Sequence, residues 1–582
     1  MNFIRRAAMA AMIVLATSAS AFAATLHRGN MNEPDTLDPH RATGSWESNI
    51  LGDMFLGLTT EAADGTPIPG AAESWTVSDD GLVYTFTLRA DGVWSDGTPV
   101  VADDFVYSIR RLMDPTLAAE YASILYVIKN AYGVNAGTLQ PEELGVRAID
   151  ARTVEITLEH PAAYLPQLLM HQTAYPVPRH VVEQFGADWT DPAHMVSNGA
   201  YTLAAWTPND HVRIVKNPRF HDAANVSIDT VIFYPTDDGT AAIKRFRAGE
   251  LDMNAGFPSQ QVPWLRDNIP AETRFATFIN TRFITFLTER APFDDVRVRR
   301  ALSMAIDRET IAAKIMGAGE LPAYSLVPPG MSNYVAGAQH DFAATPLAQR
   351  QEQARALLAE AGFGAGNPLR FRYNYIADPD SRRVAAALQE MWRAIGAEAE
   401  LVASEKKVHY NTVRARDYEV GEGNWIADFD DPVNFLFLAQ PSSGDMNASR
   451  WPDMAFEEMI ARANQMTDAG ARALVLRDAE QYMLDAAPLT PLYFGVSRNL
   501  VGLHVKGYVD NITNVHRSRF LSIDEGARVS RGEGAAASEG EAVAEADGEG
   551  GFFATIWGWI VSAWNWFLGL LCSWFGVACP QS

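Results

Sequence analysis

The sequence predicts an α/β protein with more than one core, and three observations carry this. Strand-length segments with alternating apolar residues are mixed with helix-length runs from residue 24 to about residue 524. Turns rich in Gly and Pro punctuate that whole body, and no internal repeat is visible in it. The chain has 582 residues, 48% hydrophobic and 20% charged, an ordinary globular composition long enough for two or three core-bearing units.

The elements follow in order. Residues 1–23 read as a signal peptide: Arg5 and Arg6 form a positive start, residues 7–18 a short apolar run, and Ala21-Phe22-Ala23 a small-x-small cleavage pattern. That run is too short to span a bilayer comfortably, and no Cys near it offers a lipid attachment point. Val83–Leu88 alternates like a strand after the turn Asp79-Asp80-Gly81. Asp91-Gly92 and Ser95-Asp96-Gly97 are further turns, and Thr98-Pro99 leads into a helix over 102–112. Helices are also predicted over 348–361 and 381–395. No part of this body is long and apolar enough for a membrane helix.

Composition excludes some functions. A net charge of −24 argues against nucleic acid, whose phosphates require a basic face. Only Cys572 and Cys579 occur, so the body has no disulfide and no Cys-based metal site. There is no His-Glu-x-x-His, Gly-x-Ser-x-Gly, Walker loop or dinucleotide fingerprint, and twelve His are scattered without metal-ligand spacing. The pairs Asp237-Asp238 and Asp294-Asp295 read as turns or helix N-terminal charges rather than acid/base dyads. Nothing here points to an enzyme or to a cofactor.

Residues 69–115 carry a more specific signal. In order they hold Ser74-Trp75, Ser78 with Asp80-Gly81, residues 84–89 from Tyr84 to Arg89, residues 94–99 from Trp94 to Pro99, then Asp103 and Arg110. This resembles the signature of the large solute-binding proteins that serve peptide ABC importers, the oligopeptide- and dipeptide-binding family. Other blocks match that family's order: Glu33-Pro34 with Leu37-Asp38-Pro39, Asn198-Gly199-Ala200-Tyr201, Asn217-Pro218, Ala248-Gly249-Glu250 with Asp252, Asn280-Thr281, residues 292–308, and Trp425-Ile426-Ala427-Asp428 with Pro432. Pro491-Leu492-Tyr493 falls where the family's chain returns to its first lobe.

The resemblance implies a two-lobed periplasmic-binding-protein fold with an extra third domain and a ligand enclosed between the lobes. Segments 24–57, 175–278 and 490–525 would form the core of lobe I, 58–174 its additional domain, and 279–489 lobe II. It also implies a periplasmic receptor that binds an oligopeptide or dipeptide and delivers it to an inner-membrane permease. The alternatives are a receptor for a non-peptide solute, a ligand sensor, and, against the missing motifs, a peptidase or hydrolase.

A peptide offers a charged amine, a charged carboxylate and backbone amides, so a receptor should hold its ends by opposite charge and its middle by main-chain pairing. Asp428 occupies the position of the Trp-x-x-Asp motif where family members hold the ligand's α-amino group, and Trp425 is the motif's Trp. Otherwise Asp428, Asp430 and Asp431 are turn residues before Pro432; Asp430 or Asp431 could also take the anchoring role. Some relatives carry an Arg three residues before the Trp for the ligand's C-terminus. Here that position is Glu422, which would repel a carboxylate or favour a cationic ligand. Arg382, Arg383, Lys406 and Lys407 are the substitute cations, each otherwise a solvated surface charge. By resemblance Glu33 and Pro34 border the cleft, or else form a strand-entry turn. Asn280 and Thr281 would supply hinge or main-chain contacts, or are ordinary strand residues.

The tail departs from the family. Residues 533–549 hold six acidic and no basic residues among Gly, Ala and Ser, and 526–551 read as a flexible linker. Residues 552–578 hold no charge, five Trp and four Phe. As a helix they would extend about 40 Å, enough for a hydrocarbon core of about 30 Å. They read as a membrane anchor, an interfacial segment, or a disordered extension. Cys572 and Cys579, two helical turns apart, cannot pair within one helix.

Overall fold

A computed structural model describes residues 23–528. The signal peptide, nearly all of the acidic linker and the apolar tail lie outside the described residues. Among those described, no helix is long and apolar enough to cross a membrane. Residues 525–528, where the sequence places the start of the linker, are helical. Arg528 there donates to Asp252 (2.6 Å) and to the Thr25 carbonyl (2.7 Å).

The molecule is two-lobed and mixed α/β. Its largest sheet has eleven strands. From one edge its main path runs Ala397–Ser404, Leu369–Ile376, Val420–Ile426, Thr273–Phe286, Leu489–Val501, Met253–Ala255, Thr25–Gly29, Thr230–Tyr234, His211–Lys216 and Tyr201–Thr207. Two long antiparallel strands, Thr273–Phe286 and Leu489–Val501, join its halves. Their ladder is regular from Thr273↔Leu500 to Thr277↔Val496, breaks, and resumes at Thr281↔Phe494. The outer half pairs onward to Met253–Ala255 and the inner half to Val420–Ile426. A break between two paired stretches is where a sheet can bend without losing most of its hydrogen bonds.

Two large cores flank that break, and the first extends across it to Phe283 and Leu489. One contains Leu26, Ile214 and Phe233 of the first lobe and is continuous with Phe86, Val154 and Ile156 of a four-stranded sheet. The other contains Ile284, Phe286, Leu302, Leu388 and Trp392.

The four-stranded sheet, ordered Ala72–Val77, Val83–Leu88, Thr153–Thr157, Val146–Asp150, is built from the segment with the strongest sequence signature. The predicted strand and the turn before it belong to a hairpin, with Gly81 at φ +71° in the turn. The predicted helix spans Ala102–Met113, with Asp103 and Asp104 in its first turn and Arg110 and Arg111 in its last, matching the helix dipole. Asp104 accepts from Val101 N (2.9 Å) and from Nε1 of the fully buried Trp94 (3.2 Å). The Trp-x-Asp-Gly-x-Pro block is therefore packing and capping. The helices predicted later appear at Leu347–Glu360 and Pro379–Arg393. Asp238 and Asp295 cap helices through backbone N–H groups, as expected.

Candidate functional site

Strand Val420–Ile426 runs antiparallel to 280–286, with Asn280 opposite Ile426, Thr281 opposite Trp425 and Arg282 opposite Asn424. Side chains alternate across a sheet, so Glu422, Asn424, Ile426, Asn280 and Arg282 share one face while Trp425 and Thr281 take the other. A bond from Ala427 N to Ile279 O (2.9 Å) extends the ladder by one residue and delivers the chain into the Asp428 turn.

Asn434 organises that turn. Its Oδ1 accepts from Trp425 Nε1 (2.8 Å) and from Asp428 N (3.0 Å), and its Nδ2 lies 3.5 Å from Asp428 Oδ2. The Asp428 side chain is only 14% exposed. Its nearest basic group is His171 Nε2, 3.8 Å from Oδ1. Burial, with a smaller contribution from Arg517, pushes His171 down to about 4, so the imidazole is neutral at physiological pH. Among the described residues Asp428 thus sits desolvated without a cation, and that desolvation raises its carboxyl to about 7. Tyr121 stacks on His171 at 5.6 Å between centroids and completes an aromatic wall.

The neighbouring carboxylates are already engaged. Asp431 is fully buried and accepts from both terminal nitrogens of Arg472 (2.8 and 2.9 Å). Asp430 accepts from Ser332 N and Oγ (2.8 and 2.5 Å). Of the three, Asp428 alone has a carboxylate without a strong partner among the described residues.

The other sequence candidates divide. Asn280 donates to Asn424 Oδ1 (2.6 Å) and the Trp425 carbonyl (2.7 Å), fixing this end of the strand pair. Gly495 leaves room for it, since a Cβ there would meet Asn280 Oδ1 at 2.2 Å. Thr281 is fully buried and donates to the Leu326 carbonyl (2.8 Å), a packing role. Glu33 accepts from Trp206 Nε1 (2.8 Å), while its buried Oε2 has no partner among the described residues. Pro34 beside it is buried. Glu422 accepts from Arg282 Nη1 (2.9 Å), Ser381 Oγ (2.7 Å) and Ile376 N (2.9 Å), so its charge is compensated.

Several contacts join segments that lie far apart in sequence. Lys407 Nζ meets Asp35 at 2.6 Å, Arg414 meets Glu120 at 2.9 Å, and Ser259 Oγ donates to Asp380 (2.6 Å). Lys406 Nζ lies 4.7 Å from the centre of the Trp46 ring. Tyr164 stacks on Phe429 at 4.8 Å, an apolar contact beside the Asp428 turn. His171 and Tyr121 escape a reading of the sequence because no motif marks them; folding alone brings them to a residue some 250–300 positions away.

Known proteins are similar to this chain over most of its length. Over 501 residues the chain is 37% identical to the periplasmic oligopeptide-binding protein OppA of Salmonella typhimurium, covering 84% of this chain and 91% of that one. It superimposes on the murein tripeptide binding protein MppA of Escherichia coli with a TM-score of 0.82 at 33% identity, over 86% of this chain and 99% of that one. With OppA of Haemophilus influenzae, solved in complex with RPPGFSPFR, the TM-score is 0.80 at 33% identity, over the same shares. Residues 66–447 match the family described as Bacterial extracellular solute-binding proteins, family 5 Middle. A match over most of the described body, with relatives this similar over their whole length, makes this chain a member of the family 5 bacterial extracellular solute-binding proteins.

Proposed function

We propose that this chain is the periplasmic receptor of a peptide importer and holds the α-amino group of its ligand on Asp428. The observation that carries this is a desolvated carboxylate with no cation among the described residues. Such a group is costly unless a positive charge joins it. An ammonium group arriving from the cleft meets Asp428, the Asn434 amide and the neutral His171 ring. The ligand backbone lies along the face that carries Asn280, Asn424 and Ile426. The relatives named for oligopeptides, and the one solved with a nonapeptide, support peptide as the ligand class. The receptor releases the peptide unchanged to an inner-membrane ABC permease; the sequence motifs of a hydrolase are missing.

Titration calorimetry with trialanine and N-acetyl-trialanine, on protein stripped of copurified ligand, tests this reading. The free amine should bind and the acetylated form should bind at least tenfold more weakly. Equal binding of the two refutes the anchor, and turnover of bound peptide by pure protein refutes the receptor.

The uncharged segment 552–578 supports a second element of the proposal, attachment of the receptor to the inner membrane through its tail. Full-length protein should pellet with membranes and resist a high-salt wash, while a chain stopped after Gly532 should be released by osmotic shock. Equal release of both refutes attachment.

A further inference from the structure

The last described residues lead the chain out of the body beside a basic face. Helices Gly239–Arg247 and Val262–Asn268 share a small core, to which the first gives Ile243 and Phe246 and the second Val262 and Leu265. Beyond that core the two helices carry Lys244, Arg245, Arg247 and Arg266 against one carboxylate, Asp267. Arg245 is paired with Glu250 at 3.0 Å. Lys244, Arg247 and Arg266 are exposed and form no ion pair among the described residues. Arg247 lies 4.7 Å from the centre of the Trp264 ring and Arg266 4.8 Å from that of Phe275, so both guanidinium groups rest on aromatic surface. Arg266 is fixed further by donating to the carbonyls of Gly317 and Ala318 (3.2 and 3.1 Å). Helix dipoles favour cations in these last turns. On a chain of net charge −24, the face that gathers them also attracts carboxylates.

Arg528 is the last described residue, and it grips Asp252, which follows shortly after the end of the helix Gly239–Arg247. His27 N donates to the same carboxylate (2.7 Å), His27 stacks on Tyr234 at 5.9 Å, and Arg245 covers that Tyr234 ring at 4.7 Å. The chain thus leaves the body at the basic end of that helix. Glu533 follows within a reach of about 17 Å of extended chain, and it opens the segment 533–549 with its six acidic and no basic residues. We propose that residues 533–549 bind back on the face formed by Lys244, Arg247 and Arg266 of the same chain. The inference depends neither on the peptide reading nor on membrane attachment. Exposed ion pairs are each worth at most about 1 kcal/mol, too little to hold two separate molecules together. A short connection raises the effective concentration to the order of mM, at which a few such pairs suffice. The contact is screened by salt. While it holds, it neutralises the basic face and sets the side of the body from which the tail departs.

Carbodiimide joins an amine to a carboxylate that it touches and inserts no spacer, and Lys244 supplies the amine on these two helices. Full-length protein in a neutral detergent is treated at about 20 mM and about 500 mM salt, and the products are mapped by mass spectrometry. Lys244 should be joined to a carboxylate of 533–549 at low salt, with at least about fivefold less product at high salt. Arg247→Gln with Arg266→Gln should lower the low-salt product by a similar factor at an unchanged melting temperature, which shows that the variant remains folded. Arg247→Lys with Arg266→Lys keeps the charge and should keep the product. Absence of the product at low salt, or an equal yield at both salt concentrations, overturns the proposal. A crosslinked dimer in place of the internal product would seat the segment on a second copy and overturn it as well. Loss of the product on adding phosphatidylglycerol at unchanged ionic strength would assign the face to lipid headgroups, with the same result.

Discussion

Replacing Asp428 with Asn should make the empty receptor more stable and the loaded one weaker. Moving the Asp428 carboxyl from its ordinary value of 3.8 to about 7 corresponds to about 4 kcal/mol of unfavourable free energy in the ionised native state, as an upper figure. The native group binds its proton more tightly than the unfolded one. The cost is therefore absent below about pH 4, grows between pH 4 and 7, and is complete above pH 7. The amide introduced by Asp428→Asn keeps the shape and the contact to Asn434 without the charge. Ligand-free Asp428→Asn protein should melt a few degrees higher than the parent at pH 8 and at the same temperature as the parent at pH 4. Its affinity for trialanine should fall by about 3–5 kcal/mol, because the ligand's ammonium is then buried unpaired. In the parent, affinity should itself decline below pH 7, by up to tenfold per pH unit, as the carboxyl takes up a proton before the amine can use it. His171 stays neutral through this range and does not distort the profile. Differential scanning calorimetry and isothermal titration across pH 5–8 provide both readouts. Affinity flat with pH, together with an unaltered melting temperature in the variant, would show that Asp428 is a turn residue and refute the reasoning.

Two further outcomes follow from the same geometry. Asn434→Leu removes the acceptor shared by Trp425 Nε1 and Asp428 N; two donors lose their partner, so stability should drop by about 1–3 kcal/mol for each, with ligand affinity falling in parallel, measured by denaturant unfolding and calorimetry. Arg472→Met leaves the buried Asp431 unpaired and should cost about 3–5 kcal/mol of stability, whereas Arg472→Met with Asp431→Leu should recover most of it, a double-mutant cycle read by unfolding.

What the sequence made legible was decided by where each signal acts. The longest ordered match, residues 69–115, led to the family, yet its residues serve the core of the additional domain. Trp94 is fully buried on Asp104, and the Tyr84 hydroxyl donates to the Ala162 carbonyl (2.9 Å). The chain is recognisable there because close packing and capping tolerate few substitutions. Asp428 was singled out for a different reason, the family's Trp-x-x-Asp pattern, and the structure sets Trp425 in the strand and Asp428 in the turn that follows. Thr281 shows the limit of this reasoning, since adjacency to Asn280 says nothing about which face of a strand a residue takes until register is known. Glu422 shows it from the other side. Read alone it is a repulsive charge in a carboxylate subsite. Beside Arg282, two register positions away on the neighbouring strand, its charge is compensated. A charge pair made across two strands 140 residues apart in sequence leaves no local pattern. The same holds for Lys406 and Lys407, which meet Trp46 and Asp35 from a segment far away in sequence. The part of the site that escaped is thus the part created when the lobes meet. Specificity in a receptor that closes around its ligand resides in that meeting, because groups from both sides become desolvated only there and only there do their unpaired charges become costly enough to select a partner.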